Sequence, residues 1–157
     1  MPVIPLISII LLCPLAAFGF FGILSLTGRN IARQDLISTA AMLVAFICSL
    51  FLFTNVIANP GLYATAGAET HSLTWLPLGN VNFSMGFLFD SVTATMLLVV
   101  TIVSGLVHIF SIGYMHGDPR YPRFFAFLSL FSFSMLFLVV SDNLLGIYIG
   151  WELVGLC

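Results

Sequence analysis

Long stretches of this chain carry no charged side chain, and that feature decides most of what it can fold into. Charge-free apolar runs cover residues 3–26, 36–58, 91–115 and 124–141, and a fifth apolar run, 143–157, holds one acid, Glu152. A helix crossing about 30 Å of hydrocarbon needs about 20 mostly apolar residues. Only 6% of the 157 residues are charged and none is lysine, whereas a soluble domain has roughly 25% charged residues. A soluble globule and a disordered chain are therefore both excluded. Four arginines against six acids also exclude a nucleic-acid binder, which needs clustered basic residues to displace counterions from phosphates. The expected class is an all-α polytopic membrane protein in a lipid bilayer.

The loops supply orientation. Arg29 and Arg33 follow the first run, and Arg120 and Arg123 follow the third. Basic residues near helix ends prefer the cytoplasmic side, so the N-terminus and the segment 59–90 are expected outside. About five transmembrane helices result. The fifth run reaches Cys157 without a polar cap or glycine stop, so 1–157 reads as the N-terminal part of one transmembrane domain, truncated within its fifth helix. Met1 to Pro5 carry no positive charge, which disfavours a secretory signal, so the first run is expected to stay as a helix.

Within 59–90, Leu73 to Leu76 precedes Pro77-Leu78-Gly79-Asn80, and Val81, Phe83, Met85, Phe87 and Phe89 then alternate with other residues. This period of two around a turn reads as a short outer β-hairpin, lying on the membrane face with Trp75 at the interface. The loop His116-Gly117-Asp118-Pro119-Arg120-Tyr121-Pro122 is a turn cluster with no chemistry of its own. Cys13, Cys48 and Cys157 sit apart in apolar runs and read as small hydrophobes. Asp90 and Asp142 stand where helix N-termini begin and read as caps.

Glu152 carries the strongest chemical signal. It lies nine positions after Asn143, which puts it about 14 Å into the membrane at 1.5 Å per residue. A carboxylate there must be paired, hydrated or protonated, so intramembrane acids mark proton or ion paths; the bland alternative is a neutral Glu bonded to a neighbouring helix. Tyr148 shares its face at i−4, and Gly146 and Gly150 offer a close-packing pair. On the third run, Thr101, Ser104, His108 and Ser111 fall on one helical face. They form either a wetted proton seam or interhelical hydrogen-bond glue, which Ser129 and Ser132 of the fourth run could face. The sequence holds no phosphate loop, no HExxH and no haem or iron–sulfur ligand set, so no cofactor and no metal is expected in this chain.

Phe89-Asp90-Ser91, the segments 106–115 and 123–131, and above all Gly150-Trp151-Glu152-Leu153-Val154-Gly155-Leu156-Cys157 closely resemble the subunit L (chain 5) family of proton-pumping NADH-quinone oxidoreductases. The likeness is specific over 89–157, while residues 1–88 agree in layout only. The resemblance implies that Glu152 is a proton-path residue paired with a lysine on a later helix. It also implies that NADH, FMN, iron–sulfur clusters and quinone belong to partner subunits, and that other membrane subunits of the complex are the partners. The membrane implied is the bacterial inner membrane or, alternatively, the mitochondrial inner membrane. Multisubunit sodium/proton antiporters share the fold and a similar glutamate, and a purely structural membrane subunit would leave Glu152 dispensable.

Overall fold

The computed structural model describes residues 3–26, 34–59, 69–78 and 81–157. Arg29 and Arg33, on which half of the orientation rests, lie outside them, as do Gly79 and Asn80 of the expected turn and the side chain of Trp75. Five helices and one hairpin follow in chain order: α1 (Val3–Leu26), α2 (Gln34–Ala58), β1 (Glu69–Leu78), β2 (Val81–Phe89), α3 (Ser91–Tyr114), α4 (Tyr121–Val140) and α5 (Leu144–Leu156). The first four helices are long and apolar enough to cross a membrane; α5 is shorter.

Packing follows a closed ring in which α1 touches α2, α2 touches α3, α3 touches α4, and α4 returns to α1, with α2 also meeting α4. α5 stands outside the ring against α4. Lipid is as apolar as leucine, so shape complementarity and hydrogen bonds, rather than hydrophobic exclusion, select which faces meet. At the end of the bundle near the hairpin the ring closes over an apolar core that includes Ile7, Leu52, Val56, Phe89, Leu97, Leu136 and Val140. Pro14 sits inside α1, which membrane helices tolerate because neighbouring groups can satisfy the backbone.

Helix ends follow local chemistry. Asp90 caps α3, its Oδ1 accepting from Thr93 N–H at 2.7 Å. α4 begins at Tyr121 rather than at Phe124, because Pro122 stands in the first turn, where its missing N–H is not needed. The α3–α4 turn places Gly117 at φ +90°, a left-handed conformation that favours glycine. Asp118 accepts from Arg120 N–H at 2.6 Å in the same turn.

The hairpin is antiparallel, with Leu78 opposite Val81 and Glu69 opposite Phe89. The first strand is longer than the sequence suggests and runs through Pro77 instead of turning there. A two-stranded sheet has only edge strands, where a proline can lack its ladder N–H. The register shifts between Thr74 and Leu76, leaving Trp75 as the extra residue of a bulge.

Candidate functional site

A polar seam runs through the ring. On α2 the buried positions include Gln34, Ser38, Met42, Ala45, Ser49, Leu52 and Val56, a repeat of three and four that keeps one face inward. On α3 the inward face includes Thr101, Ser104, His108 and Ser111. The hydroxyls meet in pairs: Ser49 with Thr101 at 2.7 Å, Ser104 with Ser132 of α4 at 2.6 Å, and Ser38 with Ser129 of α4 at 2.7 Å. Thr101, Ser129 and Ser132 also donate to carbonyls one turn back, a bond that keeps a hydroxyl satisfied within its own helix.

His108 is 1% exposed. Its Nδ1 lies 2.8 Å from the Ser104 carbonyl, and a carbonyl only accepts, so Nδ1 carries the proton and Nε2 is the basic nitrogen of the neutral ring. The ring packs against Phe125 at a centroid distance of 6.3 Å, and Phe125 packs in turn on Tyr121 at 4.9 Å. The Tyr121 hydroxyl interacts with Asp35 at the start of α2. Gln34, beside it, is 2% exposed, and among the described residues its side-chain amide and the Thr39 hydroxyl are buried without a hydrogen-bond partner.

α5 is built differently. Asn143 caps it, accepting from Gly146 N–H at 2.8 Å. A Cβ on Gly146 would stand 2.9 Å from Ser141 Oγ, and one on Gly150 would stand 3.0 Å from Leu138 Cβ and 3.1 Å from its Cα. These glycines let α5 lie directly on α4 and are its only fully buried positions among the described residues. Leu144, Tyr148 and Trp151 are 80%, 59% and 68% exposed, and Glu152 is exposed beside them. The Tyr148 phenol interacts with the Glu152 carboxylate one turn away, so the i−4 spacing does bring these two together. It does not bring them to His108, Ser104 or Thr101, because α5 touches α4 and β2 and not α3.

Asp142 corrects a reading from sequence: the cap of α5 is Asn143, and Asp142 turns to the hairpin instead. Its Oδ1 accepts from Gly86 N–H at 3.1 Å and from Asn143 Nδ2 at 2.7 Å. Ser38 and Ser49 were missed by sequence reasoning. Their spacing of eleven, three helical turns, was the available signal.

The described residues contain no group of three or more His, Cys, Asp or Glu side chains placed to hold a metal ion. The family model described as NADH-Ubiquinone oxidoreductase (complex I), chain 5 N-terminus matches residues 75–125. NADH-quinone oxidoreductase subunit L of Neisseria meningitidis serogroup B is 40% identical over 151 residues, 94% of this chain. The chain is similar to chain 5/subunit L proteins along nearly all of its own length. NADH-ubiquinone oxidoreductase chain 5 of Chondrus crispus is 46% identical over 76% of the chain, and that of Marchantia polymorpha is 44% identical over 89%. The chain spans about a fifth of the length of these relatives, 21%, 17% and 20% respectively. The subunit L match takes in nearly all of the chain, so the likeness extends well into the region before residue 89 where sequence inspection found layout alone.

Proposed function

We propose that this chain is the N-terminal part of a proton-translocating membrane subunit of an NADH-quinone oxidoreductase, with Glu152 as its proton-path residue. The observation that carries the reading is the pairing of Glu152 with Tyr148 on the open face of a helix whose opposite face is pressed onto α4 by two glycines. An intramembrane carboxylate held there can take up or release a proton as a cation approaches or leaves, while the phenol can donate to the charged form. The cation belongs to a later helix of the longer family members. The redox groups, FMN and iron–sulfur clusters, together with the NADH and quinone sites, belong to partner subunits. Partners are the other membrane subunits of the complex, in the bacterial inner membrane or its mitochondrial counterpart.

Within the seam, His108 is the group able to accept a proton, through Nε2, and Ser104 and Thr101 are hydroxyls able both to donate and to accept. Their part is a side branch at most, since each hydroxyl already has a partner across a helix interface.

The test is proton translocation in sealed vesicles containing the complete complex. Glu152→Gln keeps the size of the side chain and removes its titration, so assembly is expected to persist while protons moved per electron fall. A wild-type ratio in Glu152→Gln would sink the reading.

A further inference from the structure

Three elements meet at Ser141–Asn143. The Asp142 N–H donates to the Gly86 carbonyl at 3.2 Å, and Gly86 N–H returns a bond to Asp142 Oδ1 at 3.1 Å. Phe87 and Ser141 form an antiparallel bridge one residue along. The α4–α5 connection thus adds itself to the edge of β2, and one side chain closes the clasp.

The same carboxylate reaches the head of α5. Asp142 Oδ1 accepts from Asn143 Nδ2, and Asn143 Oδ1 accepts from Gly146 N–H. A carboxylate offers acceptors alone, so Asn143 must turn its NH2 toward Asp142, which leaves its oxygen for the helix N-terminus. Asp142 therefore selects the amide orientation that caps α5. Beyond the cap, Gly146 and Gly150 set α5 so close to Ser141 and Leu138 that a methyl group would fit only if those neighbours shifted. A helix gripped at its first residue and seated on two glycines moves as a rod, and Glu152 is two residues past the second seat.

We propose that Asp142 is a positioning residue that ties the hairpin to the Glu152 helix, so that the placement of β2 sets the placement of the carboxylate. The proposal rests on the proton-path role of Glu152 for its functional half; the clasp itself stands on geometry. The Phe89 side chain, 1% exposed in the apolar core, anchors the same C-terminal end of the strand, so this end of β2 is held both to the ring and to the α4–α5 connection.

The experiment compares Asp142→Ala and Asp142→Asn in the complete complex, reading amide hydrogen exchange at Gly86 and protons moved per electron in sealed vesicles. Loss of a hydrogen bond to a charged acceptor should speed exchange at Gly86 about tenfold in Asp142→Ala. Asn still offers an Oδ1 acceptor, so Asp142→Asn should restore most of the protection and most of the pumping ratio. Unchanged exchange at Gly86 in Asp142→Ala overturns the clasp. Faster exchange with an unaltered pumping ratio overturns the coupling to Glu152. A wild-type ratio in Glu152→Gln strikes the proton-path reading and the coupling with it, and is told apart from failure of the clasp because exchange at Gly86 does not depend on pumping.

Discussion

The seam between α2, α3 and α4 and the open flank of α5 are both polar, but they handle that polarity in opposite ways. In the seam, Ser49, Thr101, Ser104 and Ser132 are buried and bonded to one another across helix interfaces. On α5, the only acid within an apolar helix interior among the described residues faces away from the ring with a tyrosine as its neighbour. A hydroxyl can satisfy itself on its own helix and still reach a second, so these four hydroxyls are satisfied within this chain. A carboxylate in a membrane needs a proton, water or a cation, and among the described residues Glu152 is exposed with Tyr148 as its polar neighbour. The residue with the strongest chemistry is the one this fold leaves turned outward.

The largest expected effect comes from removing the titratable group. Glu152→Gln should lower proton translocation about a hundredfold or more, the scale on which a positioned proton-transfer group contributes, with complex assembly on native gels unchanged. Equal loss from His108→Leu would break the comparison by making the seam a main path; a clearly smaller loss is expected, since His108 is held by Ser104 and Phe125.

Gly150→Val tests whether the flank depends on the glycine seat. The added atoms would press on the Leu138 backbone and cost about 1–3 kcal/mol by overpacking, seen as a lower thermal midpoint of the complex and as reduced pumping. Gly155→Ala, where a Cβ meets nothing within 4 Å among its own chain's atoms, should leave the midpoint unmoved and so separates the seat from general glycine loss.

A milder change is Tyr148→Phe, which removes only the hydroxyl that interacts with Glu152. One hydrogen bond contributes about 1 kcal/mol, a factor of about five in the equilibrium it supports, so pumping should fall far less than in Glu152→Gln. The smallest effect belongs to the seam. A double-mutant cycle on Ser104→Ala and Ser132→Ala should give a coupling of about 0.6 kcal/mol, the mean for interhelical bonds in a membrane bundle, measured by unfolding in detergent. A coupling several times larger would mean that the seam stabilises the ring beyond simple helix glue.

Much of this architecture was legible because the bilayer restricts the choices. Apolar runs of the required length can only be helices or barrel strands in lipid, and their lengths favour helices. Alternation from Val81 to Phe89 marked the second hairpin strand, and Asp90 was recognisable as a cap. The first strand was read too short because Pro77 looked like a turn; its tolerance depends on the strand being an edge. Asp142 was read as a cap because it precedes a helix, while its real partner, Gly86, is 56 positions away in sequence. No local rule reaches that far.

The sequence by itself determined the membrane class, the helical spans, the polar stripe on α3 and the adjacency of Tyr148 to Glu152, because each of these depends on length, composition or one helical period. Tertiary structure alone decided which stripe meets which: Ser49 opposite Thr101, Ser132 opposite Ser104, Asp142 against the hairpin, and α5 outside the ring. Helical periodicity says which side chains share a face, but in lipid every apolar face is equally content to be buried or exposed. The choice of partner therefore falls to small residues and hydrogen bonds that exist only once two helices lie side by side.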